Sequence, residues 1–310
     1  MASVNFVPHG HLILADEKGV EVLNENAQIQ SQVPPLTADP CSLLVPSTLM
    51  SPEEVAKRWP WMDVADVRLA SFGERYEGWF DPWRLIRHLR NKAHTFGANY
   101  VVGNVRAFTH HKGIATTYFY DRPKRPTMST PYLNEAVIAL PDGSETRMAF
   151  HTCVNAAGPW AADIMSLALR DFDEPMLRLP VEKRKQNIFV VSPDYTAAPS
   201  THFPGIDAPI LIDHSGLFMQ RQGLSGDFAV CMNPCRTQNQ HPSLIIGPHP
   251  FINNMLLANG SSGLSAQHSI AIGRAIAEYV HYRHFKSIDL TRFSFDRFFL
   301  NLPISERNTF

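Results

Sequence analysis

Two turns of small residues, each between an apolar strand and a helix, are the parts of this chain best suited to chemistry. One turn ends the segment 255–263, MLLANGSSG, and the other ends the segment 153–158, CVNAAG. Glycine lets the backbone approach a ligand closely, and the first N–H groups of a helix have no partners within that helix. Each turn therefore predicts a site for an anionic or electron-rich group at a helix N-terminus.

The cysteines and histidines do not form a convincing metal motif. Four cysteines are too few for a disulfide framework in a chain of 310 residues, which favours a reducing compartment. A zinc site could be drawn from Cys231, Cys235, His241 and His249. The C-x3-C spacing is loose and there is no second Cys pair, so free buried thiols are the better interpretation. The sequence predicts no metal centre.

Composition restricts the class of protein. A hydrophobic content of 44% with 18% charged residues is typical of a globular chain. The net charge of -1 is spread without a basic stripe, which argues against nucleic-acid binding. No apolar run approaches the roughly 20 residues that a membrane-spanning helix needs.

Hydrophobic periodicity predicts alternating helices and strands in the first half of the chain. Ser51-Pro52-Glu53-Glu54 is a capping box with Pro at the first helical position, and Asp81-Pro82 begins another helix. In that second helix Leu85, Ile86, Leu89, Ala93 and Phe96 recur at helical spacing. Residues 100–105 are predicted to form a strand after it. The tryptophans (Trp59, Trp61, Trp79, Trp83 and Trp160) are predicted to pack in the core and at the domain interface.

The second half is predicted to contain an antiparallel sheet over residues 179–232, because short strands there are separated by turn residues. A polar segment follows, and a last strand, turn and helix extend to about residue 280.

Taken together, several of these segments resemble the amino-acid oxidase (DAO) superfamily of flavoproteins. They occur in the superfamily's order over nearly the whole chain: 77–83 (EGWFDPW), 154–161 (VNAAGPWA), 179–182 (LPVE), 247–250 (GPHP), 260–263 (GSSG) and the tail at 288–298. Each piece alone is common, but the set is specific to this superfamily.

The resemblance implies a mixed α/β (α+β) fold in which two domains are interleaved along the chain. One is an incomplete FAD-binding Rossmann-like domain, and the other is a substrate domain built on an antiparallel sheet. The implied order is 1–98, a substrate-domain part with helices; 99–170, an FAD-domain part; 171–243, the substrate-domain sheet; 244–285, the C-terminal FAD segment; and 286–310, a tail.

The resemblance also implies FAD as the cofactor and suggests where it binds. Val105, at the end of its strand, matches a position beside the adenine. The turn of Ala156, Ala157 and Gly158 matches the one beside the pyrophosphate and flavin. The turn under the isoalloxazine ring is matched by Gly260, Ser261, Ser262, Gly263 and Leu264. Gln267 matches a position where several amine oxidases place a Lys that holds the substrate carboxylate.

The sequence departs from the superfamily pattern in several places. The superfamily begins with a G-x-G-x-x-G fingerprint, but no two glycines here are separated by a single residue. Leu264 and Ser265 stand where the superfamily usually has His and Gly, and Gln267 makes an amino-acid substrate less favoured. Several tens of residues are also absent after residue 234. These departures predict a form shortened at its N-terminus and internally, whether a fragment, a splice form or a derived paralogue.

Two functions follow from the resemblance. The first is an FAD-dependent oxidoreductase whose flavin accepts a hydride from an unidentified C–N or C–OH donor. Within the superfamily, the chain resembles a mitochondrial member associated with assembly of respiratory complex I. This resemblance therefore implies a mitochondrial location, and complex I subunits or assembly factors as partners. The alternative is a non-catalytic assembly or binding protein, or a fragment, without flavin.

Overall fold

The computed structural model describes residues 4–32, 47–74, 77–111, 131–172, 178–194, 196, 203–223, 225–232, 244–261 and 265–304. The chain divides into two compact units. The first comprises Met1–Phe96, Lys185–Asn239 and Arg307–Phe310, and the second comprises Gly97–Arg184 and Gln240–Glu306. Both units combine segments that are far apart in the sequence. The assignment of individual segments to the cofactor domain or the substrate domain stays a prediction.

Strands and helices are numbered here in chain order. The strands are β1 (His11–Ala15), β2 (Ser47–Met50), β3 (Leu69–Gly73), β4 (Asn104–His111), β5 (Tyr132–Ala139), β6 (Glu145–Ala149), β7 (Cys153–Asn155), β8 (Phe189–Val191), β9 (Ile210–Ile212), β10 (Leu217–Arg221), β11 (Phe228–Met232), β12 (Ile245–Pro248) and β13 (Met255–Asn259). The α-helices are α1 (Val20–Gln32), α2 (Pro52–Arg58), α3 (Pro82–Thr95), α4 (Ala161–Ala168), α5 (Ser265–Tyr282) and α6 (Asp296–Phe299), and short 3-10 helices cover Gly158–Trp160 and Thr291–Phe293.

A seven-stranded sheet with the order β2-β3-β1-β9-β10-β11-β8 forms the framework of the first unit. β1 is parallel to β9, and the remaining pairs are antiparallel. Alternate residues of β1, Leu12 and Leu14, face a core that includes Trp59 and Phe72, whose rings pack edge to face at 5.1 Å. The predicted mixed fold, with an antiparallel sheet over 179–232, is confirmed.

The helix boundaries of this unit follow from local chemistry, as the sequence predicted. The Ser51 hydroxyl accepts from the Glu54 N–H at 3.3 Å, and the Glu54 carboxylate accepts from the Ser51 N–H at 2.7 Å. Asp81 caps α3 by accepting from the Arg84 N–H, and Gly97 ends that helix with φ +88°. A left-handed residue after a helix is the usual place for glycine.

The surroundings of α3 differ from what its apolar spacing suggests. None of its residues is buried, and Trp83 and Ile86 are among the exposed large hydrophobic side chains. Trp160 is also exposed, whereas Trp59 is buried. Core packing was therefore the wrong prediction for Trp83 and Trp160. Periodicity identifies an apolar face but does not identify what covers it.

The strand predicted at residues 100–105 was wrong over residues 100–103. The strand β4 begins only at Asn104, and residues 100–103, which are exposed, lie outside the described strands. An apolar run becomes a strand only when a neighbouring strand takes its N–H and C=O groups.

The second unit contains two three-stranded sheets, β12-β13-β7 and β4-β5-β6. Its main core is formed by α4, β13 and the inner faces of β4 and β5, with Leu133, Met165, Met255 and Leu257 fully buried. The long helix α5 packs through Ile276 and Tyr279 onto Ile246 and Leu256. Across the parts of the chain that the structure covers, no helix is long and apolar enough to span a bilayer.

Near its C-terminus, α5 is tied to the following turn by the carboxylate of Glu278. That carboxylate accepts from the backbone N–H groups of Lys286 and Ser287 and from the Nε of Arg274 at 3.0 Å. Hydrogen bonds from Ser287, with smaller contributions from Lys286 and Arg274, lower the pKa of Glu278 to about 2.

Because the pKa of Glu278 is lower in the folded than in the unfolded chain, its carboxylate stabilises the fold above pH about 4.5. The stabilisation is lost as the pH falls towards about 2. We expect Glu278→Gln to lower the melting temperature at neutral pH, and the difference from wild type to shrink as the pH falls below about 4.5. Thermal melts over this range test the expectation, and a pH-independent difference contradicts it.

Candidate functional site

The two turns predicted from the sequence come together at one edge of a sheet. β7 and β13 are parallel neighbours, with Met255, Leu256 and Leu257 opposite Cys153, Val154 and Asn155. The carboxyl ends of parallel strands lie at the same edge, so the segments that leave β7 and β13 begin side by side. In α/β sheets this edge is where ligands bind.

Asn155, the last residue of β7, organises the first turn. Its side chain is buried, and its Oδ1 accepts from the Ala157 N–H at 3.2 Å. Its Nδ2 donates to the Ala161 carbonyl at 2.9 Å. One amide side chain thus fixes the path from β7 into α4.

Asn259, the last residue of β13, joins the second turn to the first. Its buried Nδ2 donates to the main-chain carbonyl of Asn155 at 3.0 Å. Its Oδ1 is also buried and has no hydrogen-bond partner among the described residues. A buried acceptor of this kind is costly unless a donor reaches it. The pair of turns therefore contains an acceptor that suits an O–H or N–H group from outside the described chain.

The first turn leaves room for a ligand. Gly158 has φ +54°, a conformation that favours glycine, and no atom lies within 4 Å of where a Cβ would stand. Ala156 is exposed and Ala157 is half-buried. The turn continues into the 3-10 helix Gly158–Trp160 and then α4, and neither helix has a side-chain cap at its N-terminus.

The second turn is described only in part. Gly260 has φ +79°, and Gly260 and Ser261 are half-buried. Three predicted contacts, Ser262, Gly263 and Leu264, lie outside the described residues. Gln267 is exposed in the first turn of α5, which begins at Ser265. Its predicted role as a substrate contact stays a prediction.

Val105 is placed in β4 and not in either turn. The sequence had suggested that Val105 ends its strand, but it lies near the start of β4. It pairs with Ile138 of β5, beside a register shift between residues 105 and 107, and packs on the core of the second unit. Its predicted position beside the adenine stays a prediction.

Cys231 and His249, the two described members of the possible zinc set, have partners within the fold. His249 is buried, and its Nδ1 accepts from the N–H groups of Phe251 and Ile252 at 3.2 and 3.1 Å. Burial raises the pKa of Cys231, and the Gln186 side chain lies 3.5 Å from its Sγ. Cys235 and His241 lie outside the described residues. Within the described ranges, no three His, Cys, Asp or Glu side chains are grouped so that they could hold a metal ion.

Cys153, in β7, lies two residues before Asn155, and burial raises its pKa to about 11. Because the thiolate is the reactive form, we expect iodoacetamide to alkylate Cys153 about 100-fold more slowly than an ordinary thiol at mildly alkaline pH. Peptide mapping of the folded chain and of the urea-unfolded chain measures the two rates. Equal rates in the two states would contradict the burial of this thiol.

The site has a specific chemical character. Its two turns, at 155–160 and 259–261, contain no ionisable side chain. They offer backbone N–H groups, small side chains and amide oxygens, which bind and orient a ligand but do not carry out acid–base chemistry. The described residues of the two turns therefore supply binding and orientation and not a reactive group.

Sequence reasoning found the two turns but did not assign roles to Asn155 and Asn259. The available signal was an asparagine as the last residue of each apolar strand, where a buried polar residue needs a specific partner. What the pattern did not indicate is that the Asn259 side chain donates to the main-chain carbonyl of Asn155 in the other segment.

Comparison with known proteins agrees with this architecture. A family model described as FAD dependent oxidoreductase (DAO) matches residues 2–232. The chain is 29% identical to the FAD-dependent oxidoreductase domain-containing protein 1 of Xenopus laevis, over 98% of this chain and 67% of that protein. It is 30% identical to the Drosophila melanogaster homolog, over 98% of this chain and 64% of that protein. The chain thus spans about two thirds of the length of these relatives.

Solved structures show the same fold at low sequence identity. The L-proline dehydrogenase of P. horikoshii matches with a TM-score of 0.68 and 17% identity, over 96% of this chain and 78% of that one. The glycine oxidase of Geobacillus kaustophilus matches with a TM-score of 0.62 and 16% identity, over 95% of this chain and 76% of that one.

Proposed function

The chain belongs to the FAD dependent oxidoreductase (DAO) family, and we propose that it binds FAD where β7 and β13 end and acts as an oxidoreductase. The observation that carries the proposal is the junction of the two turns. Asn259 bonds the Asn155 carbonyl and leaves a buried oxygen without a donor in the described chain. FAD carries ribityl and ribose hydroxyls and a ring N–H, the kinds of donor that this oxygen lacks.

The first turn fits the same cofactor. A backbone with a positive φ and open space at Gly158 accepts a bulky neighbour. The uncapped helix N-terminus that follows favours negative charge, such as a pyrophosphate. We assign Ala156, Ala157 and Gly158 to the cofactor on this ground, together with Gly260 and Ser261 from the second turn.

The bound flavin would supply the hydride acceptor for a donor of the C–N or C–OH class. The protein contributes position and polarity. Asn155 fixes the first turn, and Asn259 keeps the second turn beside it. Gln267, exposed at the start of α5, is the candidate contact for a polar substrate group.

The second candidate function is binding without flavin. The observation that favours it is the absence of a G-x-G-x-x-G fingerprint from this sequence, because that turn is a principal anchor for the ADP part of FAD. In that case the chain would act through its surfaces, as an assembly or binding protein.

Thermal melts of the purified chain with and without FAD separate these functions. A ligand at about 100 times its Kd stabilises the fold by about 2.7 kcal/mol, so FAD should raise the melting temperature by about 5 °C. A cooperative melt that FAD does not shift would favour the binding function. Loss of cooperativity in both samples would contradict both.

We also propose a mitochondrial location, and complex I subunits or assembly factors as partners. Both proposals are supported by the family resemblance of the sequence. Fractionation of cells that express the tagged chain, followed by affinity purification, tests both parts. Recovery outside mitochondria would contradict the location, and recovery without complex I proteins would contradict the partners.

A further inference from the structure

A groove in the second unit lies between one face of α5, the strand β12 and the segment that follows α5. Its volume is about 360 Å³, and most of its walls are apolar side chains, among them Leu244, Ile246, Ala271, Ile272, Leu290 and Phe293. Ile246 belongs to the buried core beneath α5, and Ile272, Leu290 and Phe293 pack against that core. The fold therefore fixes the walls, and the volume lies in the range of about 300–1,000 Å³ that is typical of small-molecule sites.

Two basic residues supply the polar part of the groove. Among the described side chains that line it, only those of His268 and Arg292 are polar. His268 precedes Ala271 and Ile272 by three and four positions on α5, so the three share one face of that helix. Arg292 lies in the 3-10 helix Thr291–Phe293, and its guanidinium is 5.8 Å from the Phe293 ring. This 3-10 helix is closed by the Phe293 N–H, which donates to the Leu290 carbonyl at 2.9 Å.

The positive charge of Arg292 is not neutralised inside the groove. None of the ion pairs in the described part of the chain includes Arg292 or His268. The acidic residues beside this segment, Asp289 and Asp296, do not line the groove. The Asp289 carboxylate accepts from the Thr291 N–H at 2.9 Å. The complement of these walls is therefore an apolar chain that carries one negative charge.

We propose that this groove binds a medium-chain carboxylate, with its carboxylate at Arg292 and its alkyl chain against the apolar walls. A guanidinium presents a planar fork of donors that matches a carboxylate, and the ring of His268 offers one more N–H. A single cation balances a monoanion, whereas a phosphate monoester carries a charge of about −1.5 to −2 and stays partly uncompensated. Binding at this groove does not depend on flavin.

Titration calorimetry of the full chain with hexanoate, octanoate and decanoate, each below its micelle concentration, tests the proposal. Every buried methylene contributes to the transfer from water, so affinity should rise about 15-fold for each two-carbon step until the groove is filled. Octanol has the same chain length as octanoate but no charge. It should bind at least about tenfold more weakly than octanoate, because it lacks the charge-assisted bonds to Arg292.

Two substitutions locate the ligand, and each has a matched control. Ala271→Phe places a larger side chain in the groove and should weaken octanoate binding at least about 100-fold, whereas Ala277→Phe, exposed on α5 outside the groove, should bind like wild type. Arg292→Gln should weaken octanoate binding at least about tenfold and leave octanol binding unchanged. Arg106→Gln removes the same charge from an exposed position in β4 and should have no effect. Thermal melts establish that each variant is folded.

Four outcomes would overturn the proposal. One is the absence of saturable binding of both octanoate and decanoate, and another is equal affinity for octanoate and octanol. A third is tighter binding of octyl phosphate than of octanoate, which would assign the groove to a phosphorylated amphiphile. The last is unchanged octanoate binding by a folded Ala271→Phe variant, which would place the ligand elsewhere. If that variant does not fold, the chain-length series and Arg292→Gln still decide the matter.

Discussion

Replacing Asn254 by alanine is expected to lower the free energy of unfolding by about 3–5 kcal/mol. Asn254 immediately precedes β13, its side chain is buried, and its Oδ1 accepts from the Leu133 N–H at 3.0 Å. Its Nδ2 donates to the carbonyls of Leu133 at 2.7 Å and His151 at 3.0 Å. The truncation leaves the N–H and C=O of Leu133 without these partners inside the core, whereas the His151 carbonyl keeps its bond from the Tyr132 hydroxyl at 2.8 Å. Urea unfolding measures the loss.

Asn91→Ala is the matched control, because Asn91 is exposed on α3. It should leave stability unchanged or raise it slightly, since alanine is the better helix former. A loss below about 1 kcal/mol in the Asn254 variant would mean that these bonds contribute little to the fold.

The second large effect is expected at the site itself. Asn155→Ala removes the two side-chain bonds that fix the turn after β7, to Ala157 and Ala161. We expect FAD to bind at least about 100-fold more weakly, the equivalent of about 2.7 kcal/mol for two lost hydrogen bonds. Flavin fluorescence titration measures the affinity, and a thermal melt shows whether the variant is still folded.

Asn155→Asp changes the hydrogen bonds of this side chain while keeping its size. The carboxylate still accepts from the Ala157 N–H but places an oxygen against the Ala161 carbonyl, so the loss of FAD affinity should be at least as large as for Asn155→Ala. Asn104→Ala, at an exposed position at the start of β4, should bind FAD like wild type. An Asn155→Ala variant that is folded and binds FAD as tightly as wild type would remove this turn from the cofactor site.

The local features of the fold were predictable because their causes are local. The capping box at Ser51, the Asp81 cap and the turn at Gly97 each depend on residues within one helical turn of each other. The strand–turn–helix segments were predictable for the same reason. Their small residues and apolar runs adjoin in the sequence.

Features that depend on distant partners were not predictable. The Asn259–Asn155 bond joins residues 104 positions apart, and the bonds of Asn254 to Leu133 join residues 121 apart. The apolar spacing of α3 looks the same whether its apolar face meets a core or solvent, since the pattern holds no information about its partner. The strand predicted at 100–105 was wrong over residues 100–103 for the same reason.

The measurement that tests the central claim most directly is the amount of FAD retained by the folded chain. After incubation with FAD and gel filtration, the visible spectrum of the wild-type chain should show close to one flavin per chain. Asn259→Leu, which removes both the donor to the Asn155 carbonyl and the buried oxygen, should retain far less. A wild-type chain that melts cooperatively and retains no flavin would contradict the proposed site.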